Sequence, residues 1–490
     1  MKDARRCVVA RFLTARYIGC SRKRYDTRVG NSDKNCKAWL IDPQMSLSCR
    51  ARFASVWVAL SFAIGGICNR IIIRVVAFGG LAAFSHFVSA GDLTGQVTLA
   101  QALALTLKQN PDLAAFSWDV RSAEARVLQA RLRPNPEFGV LSEDVAGSKQ
   151  STGFSHSQTT LQLSQLLELG GKRSARVHEA TFGRELAKLD YASKRLDILK
   201  KTAQTFVEVS SAQERVRLAQ ENLDLASGLI PDIRKRIEAG KASAVEQTRS
   251  EVAVASAQIE LDQAKRSLIT ARQHLAAYWG SAQPKFVQVV GDLEHVTYLP
   301  SLENLSLSLA QNPEIVRWEP ETDKRQATLR LQQAQAVPNI TLSAGPRYIS
   351  ETGEWTNVIG FSLPLPLWNR NQGAILEARH QLAKASDEKL SAVTRLSSEL
   401  NDAYQTVART SNEIHVLKES VLPGAEKAVE SIRQGYEAGR FSYLDVNEAR
   451  RTLTAARLQY LQALSDYHKA VAEIEALTVQ PFDAKIGFSK

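Results

Sequence analysis

Tyr436-Glu-Ala-Gly-Arg-Phe-Ser-Tyr-Leu-Asp445 opens a run to Leu477 in which one apolar position returns every seventh residue: Val446, Leu453, Tyr460, Tyr467 and Ile474. A second set, Ala449, Ala456, Ala463, Ala470 and Leu477, sits three places after each of these. A seam of this kind, held for several heptads, is the mark of supercoiled helices. Alanine in nearly every position of the second row calls for a partner helix at short range. Gly439, just ahead of the run, is the left-handed residue that a tight turn between two helices requires. The pattern occurs twice. Ile237-Glu-Ala-Gly-Lys-Ala-Ser243 mirrors Tyr436-Glu-Ala-Gly-Arg-Phe-Ser442 at an offset of 199, followed by rows Val254, Leu261, Leu268, Leu275 and Ala257, Ala264, Ala271, Tyr278. The chain is therefore read as a duplicated long helical hairpin.

Working outward, Arg173 to Ala239 reads as one helix of roughly 100 Å, longer than a globular core can use. Its seam runs through Phe182, Leu189, Leu196 and Phe206, and Pro231 should kink it near its far end. Trp279-Gly280 ends the first hairpin, and residues 281–305 read as a mixed connector. Val97 to Arg133 is expected to be helical, interrupted at Gln109-Asn110-Pro111, a motif repeated at Gln311-Asn312-Pro313. Between these helices and the hairpins the period changes to two. Phe138, Val140, Leu161 and Leu163 in the first half, and Ile340, Leu342, Ile359, Phe361, Leu363, Leu365 and Leu367 in the second, predict two strand pairs. Their connecting loops are Glu143–His156 and Ser350–Glu354. Strands of about ten residues suit a tilted crossing of a bilayer, with Tyr348, Trp355 and Trp368 as candidates for an interfacial belt. Each pair runs into a basic corner, Glu168-Leu-Gly-Gly-Lys-Arg-Ser174 and Leu367-Trp-Asn-Arg-Asn-Gln-Gly373.

The formal charge of +11 suggests a nucleic-acid partner until it is located. Residues 1–90 hold 15 Lys/Arg against 4 Asp/Glu, and the 47 of each sign that remain cancel, so no nucleic acid is expected as a partner. All five cysteines also precede residue 90. Residues 69–90 read as an export signal: Arg70 and Arg74, the apolar run Val75 to Phe84, then Val88-Ser89-Ala90 before Gly91. A membrane span over 54–87 is the rival reading, interrupted by Asn69, Arg70 and Arg74. Residues 1–68 are an unassigned basic extension, 91–305 and 306–479 the two repeats, and 480–490 an irregular tail.

Four strands cannot close a barrel, and open edges are not tolerated in lipid, so several copies must share one. The bland alternative is a soluble helical bundle carrying two ordinary hairpins. No enzyme or cofactor constellation is present: the histidines after residue 90 (His156, His178, His274, His295, His380, His415, His468) include no local ligand pair. They are expected on the surface, with His156, in the first strand loop, the one of interest at an outer mouth. Gly170-Gly171-Lys172 lacks the spacing of a phosphate loop.

The duplicated layout, the two Glu-Ala-Gly turns and the strand-to-helix corners resemble the TolC family of outer-membrane efflux proteins from about residue 95 to 479. Leu161-Gln-Leu-Ser-Gln-Leu-Leu-Glu-Leu-Gly-Gly-Lys-Arg173 and Leu363-Pro-Leu-Pro-Leu-Trp-Asn-Arg-Asn-Gln-Gly373 resemble its CzcC-like branch, associated with cobalt, zinc, cadmium or nickel export. The resemblance implies a mixed α/β membrane protein: a homotrimer in outer-membrane lipid, with a twelve-stranded β-barrel and a helical tunnel reaching into the periplasm. It also implies docking to a periplasmic adaptor and a proton-driven inner-membrane pump of the RND type, with the tips Gly240, Lys241, Ala242, Ser243 and Gly439, Arg440, Phe441, Ser442 as the adaptor contacts. Asp445 and Glu448 lie on one helix face and in a threefold assembly would form two acidic rings that attract cations. The resemblance matches them to the rings that constrict the closed tunnel, and Tyr436 with Glu246 to a phenol–carboxylate contact between hairpins. Phe441 stands where the family carries a latching arginine, implying a looser lock. Conduits for organic solutes or for protein secretion, and a structural or adhesive coiled-coil envelope protein, are the alternatives. The short strand loops argue against the last.

Overall fold

A computed structural model describes residues 95–149, 153–296 and 300–481. The expected signal peptide, the cysteines, the basic extension and most of the tail lie outside the described residues.

Both repeats begin with an asparagine that does two jobs. Asn110 caps the helix that starts at Pro111, accepting from Leu113 N at 2.9 Å, while its Nδ2 donates to Tyr278 O at 2.7 Å. Asn312 likewise accepts from Glu314 N and donates to Leu477 O, each at 2.9 Å. Each buried amide thus satisfies an orphan donor at one helix start and a carbonyl at the end of a hairpin helix. This is why Gln-Asn-Pro recurs.

The first repeat runs β1 (Gly95–Thr98), α1 (Leu99–Gln109), α2 (Pro111–Arg131), β2 (Glu137–Glu143), β3 (Gln158–Leu167), α3 (Lys172–Gly228), α4 (Ile230–Glu238), α5 (Ala244–Ala277) and β4 (Phe286–Val290). The second runs α6 (Leu302–Ser308), α7 (Pro313–Val316), α8 (Trp318–Gln335), β5 (Ile340–Ile349), β6 (Glu354–Ser362), α9 (Gln372–Val416), a π-helical turn (Leu417–Val421), α10 (Leu422–Glu437) and α11 (Tyr443–Thr478). The hairpins stand where the heptads place them, with Val446, Leu453, Ala456, Ala463, Tyr467, Ala470, Ile474 and Leu477 buried.

Three expectations need correction. Val97 is not helical: it lies in β1, which pairs in parallel with β4 inside the expected connector. Strands of four and five residues are too short to show a period. The alternation through Leu363, Leu365 and Leu367 is not a strand, because β6 stops at Ser362 and Pro364 and Pro366 cannot donate to a ladder. The long helix does not run unbroken to Ala239. It breaks at Leu229, with Pro231 in the first turn of α4, close to the kink expected from that proline.

Helices α2, α3, α8 and α9 neighbour one another in that order near the strands. Farther down, α5 packs on α3, α3 on α11, and α11 on α9 and α10. The four long strands form one antiparallel sheet in the order β2-β3-β5-β6. Residues directly opposite share a face, and the register sorts the two faces by chemistry. Phe138 faces Leu163, Val140 faces Leu161, Leu342 faces Phe361, Ala344 faces Ile359 and Tyr348 faces Trp355. This face is apolar yet uncovered, Ile359 being 87% exposed. The opposite face is largely polar. There Arg347 donates to Thr160 Oγ1 at 2.9 Å, Gln158 Oε1 at 3.0 Å and Glu143 Oε2 at 3.0 Å, tying three strands. On the same face a Cβ at Gly345 would sit 1.7 Å from Leu161 O, so only glycine lets β3 and β5 approach there.

At the first corner Gly170 and Gly171 both take positive φ, and a Cβ on Gly170 would lie 2.8 Å from that of Val337. Asn371 supplies the left-handed residue at the second corner. Arg173 and Arg176, in the first turns of α3, donate to Arg131 O, Ala130 O and Leu132 O and so close the end of α2.

Candidate functional site

The helix turns remote from the strands gather most of the residues singled out by the sequence. Both are built alike. Gly240 N donates to Ile237 O at 2.9 Å and Lys241 N to Arg236 O at 2.7 Å; Gly439 N donates to Tyr436 O at 2.9 Å and Arg440 N to Gly435 O at 2.7 Å. With φ of +66° and +78° at the glycines, these are two copies of one helix-ending motif. Ser243 and Ser442 then cap the outgoing helices α5 and α11.

The side chains on this shared backbone differ in a compensating way. Phe441 lies against Gly435, where a Cβ would be 2.2 Å from its ring. At the matching places of the first turn stand Arg236 and the small Ala242. Arg236 reaches across to the second hairpin, with its Cζ 4.2 Å from the Tyr436 ring centroid and its Nη1 donating to Tyr436 O. Tyr436, 2% exposed, packs with Ile233, Tyr443 and Val446 in a small core joining the two hairpins. Burial pushes the Tyr436 phenol above its usual pKa, against the pull of the Arg236 charge.

The expected phenol–carboxylate contact is absent among the described residues. Tyr436 Oη bonds nothing, and Glu246 makes no hydrogen bond to it. Arg236 Nε is likewise buried without a partner. The cation–π contact (worth up to about 2 kcal/mol when desolvated) takes the place of that link. Position 441 lacks an arginine, but the first hairpin supplies one.

Asp445 and Glu448 are both exposed. Asp445 has a local duty: its Oδ2 accepts from Ser442 N and Oγ at 2.8 Å each, closing a capping box. These bonds hold its carboxyl below the ordinary aspartate pKa.

Two further links join α3 to α11 and were not legible in the sequence. Arg450, only 8% exposed, donates to Asn222 Oδ1, to Asn222 O at 3.3 Å and to Asn447 Oδ1 at 3.0 Å. Asn222 in turn donates to Glu260 Oε2 at 3.1 Å. One heptad on, Arg457 bridges Glu221 at 3.1 Å and Glu426 at 2.9 Å. Arg450 sits beside a seam alanine, and nothing in its spacing marks it as buried. Among the described residues no group of three His, Cys, Asp or Glu could hold a metal. His156 lies 3.6 Å from Glu351 between the strand loops. His468, against expectation, is buried, with its Nε2 2.8 Å from Leu293 O.

Comparison with known proteins gives a family. The model of the outer membrane efflux protein family matches residues 102–281 and 304–479. The cobalt-zinc-cadmium resistance protein CzcC of Cupriavidus metallidurans is 37% identical over 386 residues, spanning 79% of this chain and 91% of that one. The nickel-cobalt-cadmium resistance protein NccC of Alcaligenes xylosoxydans xylosoxydans is 26% identical over 60% of this chain and 67% of its own length. Among solved structures, the outer membrane protein VceC of Vibrio cholerae superposes with a TM-score of 0.65 at 19% identity, covering 79% of this chain and 97% of that chain. CusC, whose structures describe transmembrane channel formation, gives 0.67 at 18% identity over 78% and 91%.

Proposed function

The chain belongs to the outer membrane efflux protein family, and from that premise we propose that it is the outer-membrane conduit through which divalent heavy-metal cations leave the periplasm. The similarity to CzcC over nine-tenths of that protein's length carries the cargo class. A periplasmic adaptor docks on the tips at 240–243 and 439–442, and an inner-membrane pump supplies the energy, the conduit itself being passive.

Assembly follows from what one chain leaves uncovered. The sheet ends in two edge strands, β2 and β6, each paired on one side only, and in lipid only further copies can pair the open edges. The flanking helices are unfinished on matching sides. On α2, Trp118 and Ala125 stand at seven-residue spacing with Leu128 beside them, all exposed and turned from the buried Ala123, Val127 and Ala130. On α9, Leu376, Ala383 and Leu390 do the same opposite Ala378 and Ala385. Val245, Val252 and Ile259 repeat the spacing on α5. Three copies joined edge to edge give a twelve-stranded barrel with its apolar face to lipid, above a helical tunnel closed at the tips. Asp445, Glu448, Tyr436 and Glu246 line that closure, Arg236 holding one hairpin to the other.

Deletion and complementation test the cargo. Loss of the gene should lower tolerance to cobalt, zinc, cadmium or nickel and leave organic toxins unaffected. The reverse pattern would assign the conduit to organic solutes.

A further inference from the structure

A cavity of about 790 Å3 opens where α2, α3 and α8 meet below the sheet. Its floor is made by Ala180 and Gly183 of α3, and its walls carry Arg126, Arg133, Arg176, Lys324, Glu168 and Glu179. Both acids have partners, although only the charge of Glu168 is answered by a cation. Glu168 is held by Arg176 through two hydrogen bonds of 2.7 and 3.1 Å, and Glu179 accepts from Thr328 Oγ1 at 2.6 Å. Arg176 is also engaged, because its remaining donors close the end of α2. The other three cations are not. Arg126 reaches only the Ser122 hydroxyl at 3.4 Å, and Arg133 and Lys324 make no ion pair among the described residues. Unpaired cations converging on one concave surface raise the local concentration of anions. Guanidinium forks match carboxylate and phosphate oxygens in pairs.

We propose that this cavity binds multivalent oxyanions, the chemistry shared by citrate and inorganic phosphate, with Arg126, Arg133 and Lys324 as the binding cations. Given the conduit reading, on which this consequence rests, a bound anion offsets the positive charge of this corner below the sheet.

Calorimetry on the full-length protein in detergent at low ionic strength tests the site without requiring a conducting pore, so its result is independent of the conduit reading. Citrate and phosphate are titrated separately, with sodium chloride of equal ionic strength as the blank. Binding of either that weakens at least tenfold in an Arg126→Gln, Arg133→Gln, Lys324→Gln variant supports the site. A Lys265→Gln, Lys389→Gln, Lys427→Gln variant removes three charges elsewhere and should bind as the wild type does. No heat above the chloride blank in the wild type overturns the proposal. So does equal weakening in both triple variants, or undiminished binding in the site variant.

Discussion

The hydroxyl of Tyr436 touches no hydrogen-bond partner among the described residues, so removing it separates the ring from the phenol. Tyr436→Phe should leave single-channel conductance of the closed state within about twofold, the ring remaining for Arg236 to stack on. Arg236→Gln loses that stacking and should raise closed-state conductance several-fold in planar bilayers. Equal effects of the two substitutions would show that the phenol, and not the cation, holds the hairpins together. Farther from the tip, Arg450 is buried with neutral partners, and burial lowers its pKa. Asn222→Ala removes its nearest side-chain acceptor and should cost about 1–3 kcal/mol in chemical denaturation, whereas Arg450→Met, which removes the charge, should cost less. Tyr436, Glu246, Asp445 and Glu448 were all legible as residues of one tip. Arg236 was not, because its role depends on Ala242 being small and on Gly435 having released that space to Phe441 in the other copy. No single position in the sequence carries that information.

At the scale of the elements, the seams were legible because a seven-residue apolar period survives any tertiary context. Ala456 and Ala264 are buried in them, and Ala456→Leu or Ala264→Leu should destabilise by about 1–3 kcal/mol through overpacking, read as a lowered melting temperature. The start of α11 offers a second test. Ser442→Ala removes the cap and should cost about 1 kcal/mol at neutral pH. The sign with pH follows from Asp445, whose carboxyl pKa is depressed in the folded state. Its contribution is complete above the ordinary aspartate range and is lost as the pH falls through the depressed value. The melting difference between wild type and Ser442→Ala should therefore narrow in strong acid and be unchanged between pH 6 and 8. What the sequence hid at this scale has two causes. β1 and β4 are held by each other across the 187 residues between Thr98 and Phe286. The π-helical turn at Leu417–Val421 has no residue signature of its own, lying in a continuous helical pattern up to Leu422-Pro423.

At the scale of the whole molecule, the exposed rows on α2 and α9 make a direct prediction. Leu128→Glu with Leu376→Glu places a carboxylate on each uncovered edge and should convert the proposed trimer into monomers, measured by sedimentation in mild detergent. The same pair of changes on a chain that works alone would alter nothing in its mass. The repeats share the same backbone devices, from Gly240 and Gly439 at the turns to Asn110 and Asn312 at the helix starts. A ring of six identical separate hairpins would have sixfold symmetry, and every contact between neighbours would have to be self-consistent around it. In the proposed trimer, joining two hairpins in one chain lowers that symmetry to threefold and lets neighbours differentiate. One hairpin then carries Arg236, with the small Ala242 nearby in sequence, and the other carries Tyr436 and Phe441 over a glycine. In that assembly donor and acceptor would alternate around the rim in fixed one-to-one proportion, set by the covalent chain and independent of how much of either the cell makes.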